Sequence, residues 1–147
     1  MYQKILVTTD GSSLSKKAVR SALELASVTG AQLVALHVVP RYPVSYFEGS
    51  IAMTPGELAR TEKLWSDKGH AMVDDVVRLG RASGVEVKPV VMTSDLVAES
   101  IIKAAKKYRC DLVTMASHGR KGLKRLLLGS ETQHVLTHCT VPVLVLR

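Results

Sequence analysis

Aromatic side chains are scarce. One Trp, one Phe and four Tyr in 147 residues leave any core to be built from Val, Leu, Ile and Ala. The same scarcity counts against single-stranded nucleic-acid binding, which needs stacking platforms. There are only two cysteines, Cys110 and Cys139, each beside a predicted strand. They make no disulfide framework, and a reducing cytoplasm is the expected compartment. No apolar run approaches the roughly 18 residues of a membrane span. The opening Met1-Tyr2-Gln3-Lys4-Ile5 runs straight into a predicted strand, so no signal peptide is expected. Three catalytic or phosphate-binding signatures are also missing. There is no G-x-x-x-x-G-K-[ST], no G-x-S-x-G elbow, and no G-x-G-x-x-G after the first strand. No base is identifiably placed to activate water, so binding is expected rather than efficient catalysis.

What is present is one domain's length of aliphatic chain, 46% apolar, enough for a proper core. Lys4 to Thr9 is a continuous apolar strand, as expected when both faces are covered, and it ends at Asp10-Gly11. Ser12 or Ser13 caps a helix with Leu14, Ala18, Ala22, Leu25 and Ala26 on one stripe, closed by Gly30. Gln32 to Val39 is a second strand. Residues 40–53 read as a mobile loop. Thr54-Pro55-Gly56-Glu57 opens a long helix with a capping box, its apolar face Leu58, Trp65, Met72, Val76 and Leu79. Val85 to Met92, Asp111 to Ala116 and Val141 to Leu146 are three further strands. Asp95 caps the helix between the first two of these, and a last helix covers about Ser130 to His138.

Strictly alternating strands and helices predict an α/β fold. Pro89 and Pro142 cannot donate to a ladder, which puts the third and fifth strands at edges. Right-handed crossovers then give a single-domain, doubly wound, five-stranded parallel sheet of order 3-2-1-4-5. Helices cover both faces, in the Rossmann-like manner. The connection reverses between strands one and four, and a crevice opens there at the strand C-termini.

Two segments meet at that crevice. One is Asp10. The other is Met115 to Glu131, where Gly119, Gly122 and Gly129 punctuate a basic stretch with Arg120, Lys121, Lys124 and Arg125. Strand, glycine-rich connection and helix start together make an anion cradle. Glycine lets the backbone approach a phosphate, and a helix N-terminus supplies unpaired N–H groups. Ser130 with Gln133 reads as a capping box. Taken singly, each glycine is more often a turn or cap, and Asp10 equally serves as a helix cap.

The K-I-L-V-x-x-D opening, Leu36-His37-Val38, the V-P-V-L-V close, and Gly119, nine residues, Gly129, Ser130 resemble the universal stress protein family over essentially the whole chain, 1–147. The nucleotide-binding branch has glycine, two residues, glycine, nine residues, glycine and Ser or Thr. Ala116 stands at the first glycine, and Gly122 is an extra one. The resemblance implies ATP, or ADP or AMP, with magnesium or manganese as a companion ion. It puts Asp10 on the ribose side and the Val38 backbone on adenine. Met115, Ala116, Gly119, Arg120, Gly129, Ser130 and the Glu131 amide line ribose and phosphates. It further implies a stress-response role, at most slow ATP hydrolysis, and a homodimer through the hydrophobic edge strand Val141–Leu146.

A nucleotide-free homodimeric interaction module of the same family is the alternative reading. The net charge of +7 raises nucleic acid as a further one, although a phosphate-bearing small molecule needs only the local cluster. An aspartyl-phosphate receiver would need an acid beside Asp10. His134, His138 and Cys139 lack the H-E-x-x-H glutamate and a second cluster, so they read as surface residues. His37 and Trp65 read as core, and His118 either contacts phosphate or fills the loop.

Overall fold

A computed structural model describes residues 1–41, 54–119 and 127–147. Residues 42–53 of the expected 40–53 loop, and Arg120 with Lys121, Gly122, Lys124 and Arg125, lie outside the described residues. The elements are β1 (Lys4–Thr8), α1 (Ser13–Thr29), β2 (Gln32–Val39), α2 (Pro55–Ala82), β3 (Val87–Thr93), α3 (Val97–Lys107), β4 (Leu112–Ala116), α4 (Ser130–His138) and β5 (Val143–Leu146). All pairings are parallel, and the order is β3-β2-β1-β4-β5, as expected.

Each strand feeds two cores because successive side chains point to opposite faces. Ile5 and Val7 join Ala18, Ala22, Val73 and Val76, under α1 and α2. Leu6, Val34 and Val113 join Ala98, Ile101 and Val135, under α3 and α4. Pro89 sits in edge strand β3 opposite Ala35. Leu33 N–H donates to Glu86 O, so the even-numbered residues of β3 carry this ladder, and the missing Pro89 donor falls on the open side. Pro142 precedes β5 rather than lying in it, and its carbonyl accepts the Val113 N–H at 3.0 Å. The third strand likewise starts at Val87, after a buried Val85.

The helix starts agree in part. Ser12 Oγ accepts the Ser15 N–H, and Gly30, at φ 72°, ends α1. The Thr54–Glu57 capping box with Pro55 is present. Asp95 does not cap α3. Its Oδ1 accepts the Arg41 N–H at 2.9 Å, and Leu96 is the N-cap. Nor does Ser130 cap α4. Gly129 is the N-cap, and Gln133 donates through Nε2 to Leu128 O at 3.0 Å instead of closing a box. In α2 the buried face is Gly69, Val73, Val76 and Gly80. Trp65 is half-buried rather than core, and Leu79 is 45% exposed.

Thr114, in the middle of β4, is fully buried, and its hydroxyl has no hydrogen-bond partner among the described residues. A buried unpaired hydroxyl costs about 1 kcal/mol or more. Thr114→Val keeps the shape and removes the polar atom, so it should raise stability by about 1 kcal/mol, or a Tm gain of about 3 °C. A lower Tm would show that the hydroxyl is needed.

Cys110 and Cys139 are both free thiols. Burial pushes the Cys110 thiol up to about 11, with Lys4 lowering it and Asp111 raising it by smaller amounts. A raised folded-state pKa leaves stability intact below the unfolded value of about 9. The contribution is then lost as pH climbs towards 11. Urea denaturation of the wild type against Cys110→Ala should therefore show the wild type losing ground between pH 9 and 11 and none between pH 6 and 8.

Candidate functional site

At the end of β1 the chain turns sharply. Gly11 adopts φ 77°, and its N–H donates to Thr9 Oγ1 at 3.3 Å. Asp10 Oδ1 accepts the Ser12 N–H at 2.9 Å, which closes an Asx turn ahead of α1. The other carboxylate oxygen looks across the sheet. A Cβ built on Gly119 would stand 2.9 Å from Asp10 Oδ2. The tips of β1 and β4 thus meet, and glycine at 119 leaves that oxygen its space. Asp10 therefore combines the cap-like bond with a place in the crevice.

Beyond β4 the chain is fastened from several sides. Ala116 is the last residue of β4, in register with Leu146. Arg109 is the sole non-glycine residue with positive φ among those described, so the Ala116 methyl carries no backbone strain. Ser117 N–H donates to Leu146 O at 2.8 Å, and Gly129 N–H returns to Ser117 O at 2.8 Å. Thr132 Oγ1 lies 3.0 Å from Ala116 O and 3.1 Å from Ser117 O, and donates to both. This residue, missed in the sequence, ties the first turn of α4 to the strand tip. The signal was a threonine one turn past Gly129, facing a strand end. The Ser130, Glu131 and Thr132 amides form the open start of α4, since Gln133 N–H is the first to bond back, to Gly129 O.

The remaining candidates divide. Val38 is half-buried near the end of β2. Met115 is buried in the core under α3 and α4, and its main chain lies in register with Val145 of β5. The Glu131 carboxylate turns away to α3, where Oε2 accepts the Ala98 N–H at 2.7 Å. It supplies the cap that Asp95 does not. His118 Nδ1 lies 3.1 Å from Ser117 Oγ, and its Cα would lie 3.3 Å from a Cβ on Gly129, so it packs within the loop. His37 Nδ1 lies 2.7 Å from Thr9 O. His134 and His138 stack with centroids 4.3 Å apart. No group of three metal-ligating side chains occurs among the described residues.

A carboxylate facing a glycine at one strand tip, beside an open helix start at the next, is an arrangement suited to a sugar hydroxyl and a phosphate. The model of the universal stress protein family matches residues 1–147. The chain belongs to the universal stress protein family. It is 33% identical over 147 residues to universal stress protein MJ0531 of Methanocaldococcus jannaschii, covering 100% of this chain and 83% of that protein. It is similar to the solved structure of MJ0577, a universal stress protein of the same organism. That likeness has a TM-score of 0.83 and 25% identity, covering 99% of this chain and 96% of the other. More distant universal stress proteins share the fold and were solved with adenine nucleotides. One from Arabidopsis thaliana has AMP bound (TM-score 0.68, 21% identity, covering 97% and 90%). One from Archaeoglobus fulgidus is in complex with dAMP (TM-score 0.64, 16% identity, covering 99% and 98%).

Proposed function

We propose that this universal stress protein, acting as one domain over 1–147, binds an adenine nucleotide between the tips of β1 and β4 and serves the stress response as a regulatory binding protein. ATP is the favoured ligand, with ADP or AMP occupying the same place. The observation that carries the reading is the approach of Asp10 Oδ2 to Gly119. It brings a hydrogen-bond acceptor for ribose hydroxyls beside the glycine connection that leads to the α4 N-terminus. The adenine nucleotides bound by the relatives support the choice of ligand.

In this reading Asp10 accepts from the ribose, and the Val38 main chain meets adenine. The main chain from Met115 through Ala116 to Gly119 lines the sugar side, with Arg120 adding charge. Gly129, the Ser130 hydroxyl and the Glu131 amide take the phosphates. Magnesium or manganese would accompany the nucleotide as a companion ion on its phosphates. No helix among the described residues is long and apolar enough to cross a membrane. The parallel edge strand β5, with Leu144 39% exposed, supports a homodimer paired along that edge.

Equilibrium dialysis with labelled ATP tests the reading. Saturable binding in the micromolar range is the expected result, together with an adenine nucleotide in the mass spectrum of ligand released from gently purified protein. Dialysis without retention, and no released nucleotide, would leave the nucleotide-free interaction module.

A further inference from the structure

His37 sits where β1 and β2 part. Thr9 N–H still donates to Leu36 O at 3.0 Å, the last main-chain rung between the two strands. In a regular parallel ladder the next rung would run from Val38 N–H to Thr9 O. No such bond joins them among the described residues. Thr9 O is taken instead by His37 Nδ1, 2.7 Å away. A ring nitrogen facing a carbonyl carries its proton, so Nδ1 is the donor. The ring fits because α2 is cut away beside it: a Cβ on Gly69 would lie 2.8 Å from His37 Cδ2.

We infer that His37 is a positioning residue for nucleobase recognition. By occupying the Thr9 carbonyl it keeps the Val38 main chain out of the ladder and open to the edge of a base. The inference rests on the nucleotide reading above and adds its base specificity. In a parallel strand the N–H and C=O of one residue point to the same side, and those of Val38 point towards β1. Half-buried Val38 thus offers a donor and an acceptor side by side. Adenine matches them with its N1 acceptor and 6-amino donor, whereas guanine presents the reverse pair.

The test compares wild type, His37→Leu and His37→Asn. The Asn amide can reach Thr9 O in place of Nδ1, whereas Leu cannot donate. Dissociation constants are measured for ATP, GTP and inorganic tripolyphosphate, and Val38 amide exchange is followed by NMR without ligand. His37→Leu should lose about tenfold in ATP affinity, the size of one hydrogen bond. GTP and tripolyphosphate should be unchanged, and Val38 exchange should slow as its N–H pairs with Thr9. His37→Asn should behave as the wild type. An unchanged ATP-to-GTP ratio in a folded His37→Leu protein, or a Val38 amide already protected in the wild type, overturns the inference. If His37→Leu fails to fold, wild-type Val38 exchange decides alone. Failure of wild type to bind ATP would instead remove the nucleotide reading, and the exchange measurement would still decide what His37 does to the ladder.

Discussion

Gly80→Ala is expected to lower the unfolding free energy by about 2 kcal/mol. Helix propensity alone points the other way, since alanine in a helix interior is favoured over glycine by about 1 kcal/mol. The site decides otherwise. A Cβ on Gly80 would collide with Val87 Cγ2 and stand 2.8 Å from the Val85 carbonyl oxygen. Val87 is β-branched and stiff, and the Val85 oxygen is main chain, so neither gives way cheaply. Gly80 O also accepts both Ser83 N–H at 3.0 Å and Val85 N–H at 2.8 Å, which fixes the turn from α2 towards β3. Overpacking at such a place costs about 3 kcal/mol, which outweighs the propensity gain. Gly56→Ala is the control, because nothing lies within 4 Å of its added Cβ, and its stability should not fall. Urea denaturation of both variants provides the measurement, and a Gly80→Ala protein as stable as wild type would contradict the close approach of α2 to the sheet.

The same glycine shows where sequence reading stops. Periodicity picks out large apolar residues, and Leu58, Trp65, Met72, Val76 and Leu79 do share a stripe. Packing rewards proximity as well as size. α2 lies closest to the sheet through Gly69 and Gly80, with Val73 and Val76 between them, and this rotates Leu79 outward. A glycine inside a helix lowers its propensity, and nothing local reveals that the missing Cβ makes room for Val87 or His37. Strand order was legible for the opposite reason. Alternating elements, right-handed crossovers and two prolines at strand positions are strong local constraints, and they left one arrangement. Even Pro142, which proved to lie just ahead of β5, pointed to the correct edge.

The site was legible in its topology and less so in its bonds. Strand order alone brings the β1 and β4 tips together, and with them Asp10 and Gly119. Capping depends on partners far away in the chain. Asp95 is engaged by Arg41, and the α3 start is served by Glu131 from another helix. A Ser followed by Gln at the right spacing looked like a capping box, yet the chain enters α4 one residue earlier, through Gly129. That shift matters chemically. It puts Ser130 inside the first turn with an exposed hydroxyl, beside the amides that would receive a phosphate. Thr132 then carries the tie to the strand, leaving Ser130 without that task.

Gly129→Glu should abolish measurable ATP binding, a loss of about a hundredfold or more, while the protein stays folded. The backbone at 129 has φ −61° and ψ 152°, which any residue can adopt, so no glycine-specific conformation is lost. A Cβ there would lie 3.3 Å from His118 Cα and 3.3 Å from Ser117 O, a tight fit that asks the loop to yield by a few tenths of an ångström. A carboxylate at a helix N-cap is compatible with the macrodipole, so α4 itself should tolerate it. The ligand should not, because the new charge occupies the region proposed for phosphate and repels what would bind there. Gly129→Ala separates the two effects. It adds the Cβ without the charge and should weaken ATP by less than about tenfold. Circular dichroism and thermal melting establish that both variants fold, and dialysis with labelled ATP gives the affinities. Wild-type affinity in a folded Gly129→Glu protein would move the phosphates away from α4 and leave Asp10 and Gly119 facing each other for some other reason.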